Sequence, residues 1–143
     1  MISGGSEANR KDVGEEEDTL GLQRRSMRWK IQLGQPSSAR REEEKSCRFL
    51  KEQNLAGSLP AEIVNLPFLQ EIDLKRNYLN GTIPPEWGTT QLQKISLLGN
   101  RISGGIPKEL GNISTLTRLD LEINQLSGLI PPELGNLTNI EYL

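Results

Sequence analysis

No histidine occurs among the 143 residues, and there is one cysteine, Cys47. The first absence removes Ser-His-Asp triads, Cys-His dyads and the usual zinc ligand sets. The second excludes an intramolecular disulfide. Aromatic residues are few, two each of Trp, Tyr and Phe. No stretch approaches the roughly 20 apolar residues of a membrane span, and Met1 to Lys11 lacks the apolar segment of a secretory signal. A kinase would need a glycine-rich phosphate loop, H-R-D and D-F-G, and none of these is written in the chain. Net charge is −2. The basic stretch Arg24 to Lys30 is balanced by acidic runs on both sides, so it reads as solvated and not as a nucleic-acid or lipid contact. No enzyme, cofactor or metal site is expected.

What is present is a repeat. Leu69-x-x-Ile72-x-Leu74-x-x-Asn77-x-Leu79-x-Gly81-x-Ile83-Pro84 returns from Leu92 to Pro107 and again from Leu116 to Pro131. The asparagines stand 23 and 24 residues apart (100 − 77 and 124 − 100). Self-similarity at that period signals a stacked solenoid, which offers a surface and not a reaction centre.

Each copy has a physical reading. Ile72 and Leu74, Ile95 and Leu97, and Leu119 and Leu121 alternate with polar neighbours, as in a strand with one buried face. No such strand buries its apolar side alone, so the coils must stack into a parallel sheet. Asn77, Asn100 and Asn124 hold their place inside the apolar pattern. Their amides can satisfy backbone groups where each coil bends, which predicts a stacked polar ladder. Gly81, Gly104 and Gly128 suit positive φ or close approach of the next coil. The segments from Pro84, Pro107 and Pro131 to Gly88, Gly111 and Gly135 read as helical turns on the convex side, with proline at the start and glycine at the exit. Trp87, Leu110 and Leu134 should be their core anchors. The fold class expected is an α/β solenoid, a short right-handed array with a parallel sheet on its concave face.

The combination N-x-L-[SN]-G-x-I-P followed by P-x-E-L-G-N-[LI]-[ST] resembles the plant-specific leucine-rich repeats. Asn100 to Pro107, Asn124 to Pro131 and Glu109 to Ser114 carry the resemblance. More narrowly, Leu55 to Pro60 and Glu71 to Pro84 resemble ectodomains of plant receptor-like serine/threonine kinases, in the group with a malectin-like domain after the repeats. The likeness covers about residues 49 to 143. It implies an extracellular array at the plasma membrane, engaged in ligand sensing or receptor pairing with a protein or peptide and a co-receptor. A separate domain would carry the phosphorylation.

The pattern also breaks. Gln53 replaces the ladder asparagine of the first copy, and Arg48 falls where Ile72 stands in the second. Leu137-x-x-Ile140-x-x-Leu143 starts a fifth copy. Uncapped edges invite end-to-end self-association. Two domains are expected: 1–46, a disordered charged tail, and 47–143, a partial first repeat, three full repeats and a truncated fifth. Within the tail, Met27-x-Trp29-x-Ile31-x-Leu33 alternates like a short strand. Cys47 reads as the remnant of a cysteine-pinned cap or as a chance thiol. With repeats of a secreted type and no signal, the plainest reconciliation is a truncated or rearranged gene product. The runner-up is a cytoplasmic repeat protein.

The outward positions define the expected binding face: Glu71, Asp73, Lys75, Lys94, Ser96, Leu98, Arg118, Asp120 and Glu122. It is mixed in charge and poor in aromatic anchors. Asp73 and Asp120 read as side-by-side members of an ordinary solvated face. Three or four coils span only about 15–20 Å, so weak or absent capture of a peptide by this chain alone is expected, and marginal stability with it. Asn80, Asn112 and Asn136 head N-x-[ST] sequons, glycan acceptors in secreted relatives. Two other functions stay open: a soluble inhibitor-like repeat protein, similar to plant polygalacturonase inhibitors, and a product without independent function.

Overall fold

The computed structural model describes residues 47–143. The tail, the Met27–Leu33 alternation and the side chain of Arg48 lie outside the described residues.

Short strands β1 (Cys47–Phe49), β3 (Glu71–Asp73), β5 (Lys94–Ser96) and β7 (Arg118–Asp120) form one parallel sheet in the order β1-β3-β5-β7. Register follows the repeat: Ile72 pairs with Ile95, and Ile95 with Leu119. Arg48 lies opposite Ile72, the alignment expected of the broken first copy. Because every coil has the same length to within a residue, the alternating side chains stay in phase. Ile72, Leu74, Ile95, Leu97 and Leu119 all point into one buried core. The start of the fifth copy contributes a single bridge, Arg118 to Tyr142.

Among the described residues, four 3-10 turns close the coils on the opposite side, at Ala61–Asn65, Pro85–Thr89, Lys108–Asn112 and Pro132–Asn136. Ile63, Trp87, Leu110 and Leu134 face the core from them. The Trp87 indole N–H is satisfied there by donating to Pro60 O at 2.8 Å, as a buried indole requires. The glycines correct the expectation of an exit role. Gly88 and Gly111 lie within their turns, because a Cβ at Gly88 would sit 2.4 Å from Glu109 O, and one at Gly111 2.3 Å from Glu133 O. They are there so that neighbouring coils can touch.

Two strand pairs not expected from the sequence lie between the main sheet and the turns: β2 (Ala56–Ser58) with β4 (Tyr78–Asn80), and β6 (Ser103–Gly104) with β8 (Gln125–Leu126). They use the N-x-L-x-G segment, whose glycines at Gly57, Gly81, Gly104 and Gly128 all have positive φ, 75–94°.

Candidate recognition surface

The ladder fixes the geometry of the sheet. Asn100 Nδ2 donates to Leu97 O of its own coil at 2.9 Å and to Leu74 O of the preceding coil at 3.0 Å. Its Oδ1 accepts from Leu79 N at 3.1 Å. Asn77 does the same with Leu74 O, Leu50 O and Leu55 N. Asn124 does so with Leu121 O, Leu97 O and Ile102 N. Each amide therefore stitches two coils and satisfies groups the bend leaves unpaired. Gln53 does not join them: its amide turns back to Lys51 O at 3.2 Å.

Locked in this way, the outward positions form columns across the sheet: Glu71–Lys94–Arg118 and Asp73–Ser96–Asp120. Lys75, Leu98 and Glu122 continue the register just past the strands, where Arg76 N–H donates to Leu98 O and Gly99 N–H to Glu122 O. Among the described residues, charges pair mostly between coils. Lys94 Nζ lies 2.7 Å from Glu71 Oε1. Lys75 reaches across two strands to place Nζ 3.5 Å from Asp120 Oδ2, and Arg118 approaches that same oxygen at 3.7 Å. The expectation of an open, solvated face is corrected here. Ser96 is 6% exposed and Asp120 3%, so neither is available to a ligand as the face stands. Asp73 and Asp120 are also not adjacent, since Ser96 stands between them. Lys94 and Glu122 remain exposed, while Glu71, Asp73, Lys75, Leu98 and Arg118 are half-buried.

The C-terminal end of the sheet adds a residue that sequence reasoning missed. Tyr142 lies beside Arg118, whose guanidinium sits 4.4 Å from its ring centroid, and its hydroxyl donates to Glu122 Oε1. That bond, with the nearby carboxylate charge, raises the Tyr142 pKa above its ordinary value. The signal was one incomplete repeat: Tyr142 falls in the Lys94–Arg118 column only once Ile140 is aligned with Leu116. Asn80, Asn112 and Asn136 are all exposed, one on β4 and two on the helical turns, away from the columns.

The Leucine Rich Repeat family pattern matches residues 68–89, 91–113 and 115–137. A probable leucine-rich repeat receptor-like serine/threonine-protein kinase of Arabidopsis thaliana is 70% identical over 50 residues, 35% of this chain and 5% of that protein. These are leucine-rich repeats, homologous to those of plant receptor-like kinases. The chain spans about one-twentieth of the length of the curated relatives it matches. Among solved structures, a plant peptide hormone receptor, RGFR1, in complex with RGF2 is 42% identical with a TM-score of 0.61, over 62% of this chain and 14% of that one. The BIR3–SERK2 complex from Arabidopsis thaliana contains a chain 34% identical with a TM-score of 0.64, over 66% of this chain and 52% of that one. Among the described residues, no helix is long and apolar enough to cross a membrane.

Proposed function

We propose that the array is a protein-recognition module of a receptor-kinase ectodomain, acting in ligand sensing or receptor pairing through the concave sheet. The observation that carries the reading is the ladder-locked sheet, which holds the outward columns of successive coils at fixed spacing. Support comes from a structural neighbour, the Arabidopsis receptor kinase HAESA, in complex with a peptide hormone and a co-receptor. The reading places the module outside the cell at the plasma membrane, with Asn80, Asn112 and Asn136 as glycan acceptors off the binding face. It gives the repeats themselves no catalytic role. The malectin-bearing group is the finer assignment, resting on the resemblance of Glu71 to Pro84 to that group. So few coils bury little ligand surface, and affinity of the chain alone is weak.

The test is a chimera in which residues 69–137 replace the matching coils of the homologous Arabidopsis kinase. Signalling should survive the exchange. The charge reversal Lys94→Glu should abolish it, and Gln125→Glu on the flanking strand should not. Equal signalling by the Lys94→Glu chimera would remove the concave sheet from recognition. Submicromolar peptide binding by the 143-residue chain alone would refute the expected dependence on further coils.

A further inference from the structure

One polar pair on the concave sheet is left unmatched by the fold. Arg118 Nε and Asp120 Oδ1 are buried, with no hydrogen-bond partner among the described residues. Both belong to β7 and are two residues apart, so they project from the same face. Asp120 Oδ2 is engaged by Lys75 and Arg118, which leaves Oδ1 unmet. Two side chains lie over the pair. Lys75 arrives from β3's side, and Tyr142 stacks on the guanidinium from the other while its hydroxyl is tied to Glu122. A buried donor and acceptor left unpaired are unfavourable.

The charge around them decides which group could satisfy both. An anion drawn to Arg118 meets the Asp120 carboxylate, and a cation drawn to Asp120 meets Lys75 and Arg118. A neutral group with one acceptor and one donor suits the balance. One residue of an extended peptide is that group, because its own N–H and C=O lie on the same edge of the chain: the C=O accepts from Nε–H, and the N–H donates to Oδ1. We propose that Arg118 and Asp120 form a main-chain anchor for an extended peptide, covered by Tyr142 until the ligand displaces its ring. This rests on the concave sheet being the recognition surface. Backbone anchoring would set where a ligand sits without reading its side chains, leaving selectivity to the Glu71–Lys94 column and to Leu98.

The experiment follows the Arg118 Nε–H resonance by NMR in the full chain, with capped diglycine (acetylated and N-methylamidated) as probe and acetate as the anionic control. Capped diglycine should give a saturable shift. Tyr142→Ala should tighten it about tenfold, since a covered site binds only in the fraction of molecules that are open. Glu122→Gln, which loosens the cover without removing the ring, should move affinity the same way. Arg118→Lys keeps the charge but has no Nε, and should lose binding of the probe, read on the Leu119 and Asp120 backbone amides. The proposal is overturned by no shift in both the native chain and Tyr142→Ala (a water alone satisfies the pair), by preference for acetate, or by undiminished binding to Arg118→Lys. No cognate ligand is needed, so a negative result leaves the chimera test standing. A failed chimera beside a positive shift would leave a peptide site without the receptor role.

Discussion

Gly111 and Gly135 stand in the same local sequence, Glu-Leu-Gly-Asn, and alanine at the two should act in opposite directions. Neither has positive φ, so alanine is compatible with the backbone at both. At Gly111 the new methyl carbon would lie 2.3 Å from Glu133 O and 2.7 Å from its carbonyl carbon. Carbon–oxygen contacts are normally about 3.3 Å or longer, so the turns must separate by about 1 Å. Overpacking against backbone of this kind costs about 1–3 kcal/mol. The reduced freedom of the unfolded chain returns about 0.4–1 kcal/mol. Gly111→Ala should therefore destabilise by roughly 1–2 kcal/mol on those two terms. At Gly135 nothing lies within 4 Å of the added Cβ, and only the unfolded-state term remains, a gain of about 0.4–1 kcal/mol. Urea unfolding of the 143-residue chain measures both, as midpoint shifts at constant slope. Thermal midpoints should part in the same sense, by about 4–8 °C per kcal/mol for an array this size. Shifts of the same sign at the two positions would refute the argument that the glycine exists for the neighbouring coil.

Three further outcomes are expected. The residue before each ladder position is left-handed in every coil, at Glu52, Arg76, Gly99 and Ile123, and Ile123 is β-branched and 76% exposed. Ile123→Gly should stabilise by about 0.5–1 kcal/mol, the left-handed penalty less glycine's entropy, and Gly99→Ile should do the reverse; both are read by urea midpoint. Asn100→Ala strands the Leu79 N–H and takes one of the two amide donors from each of the Leu74 and Leu97 carbonyls, which keep Asn77 and Asn124. It should cost roughly 3 kcal/mol, seen as loss of the cooperative transition by circular dichroism. Tyr142 donates to the Glu122 carboxylate, so its folded pKa is raised. The stabilisation is present below the ordinary tyrosine value of about 10 and is lost as pH rises through the folded value. Phenolate absorbance should show Tyr142 titrating at lower pH in Glu122→Gln than in the native chain.

The stack was legible because its cause is local and periodic. Leu74, Leu97 and Leu121 stand three residues before Asn77, Asn100 and Asn124, and that spacing alone puts a leucine carbonyl within reach of the amide. The lateral strands were not legible: Tyr78–Asn80 and Ser103–Gly104 are too short to show alternation, and their pairing partners lie 22 residues away. The glycines of the turns were misread for a related reason. A helix-exit glycine and a contact glycine look alike in sequence, and what separates Gly111 from Gly135 is a carbonyl in the next coil. Asp120 is the more instructive case. Alternation says that it points outward, and it does, but pointing outward is not exposure when a lysine two strands away lies across the sheet. Residues 45 positions apart (120 − 75) become partners because the ladder keeps every coil in step. The recognition surface of such an array therefore has to be read down columns, one repeat position at a time. On that reading Glu71–Lys94 and Lys75–Asp120–Arg118 are pairs the protein has already made with itself. A partner must either displace those pairs or take what they leave: Leu98, the free side of Glu122, and the unsatisfied atoms beneath Tyr142.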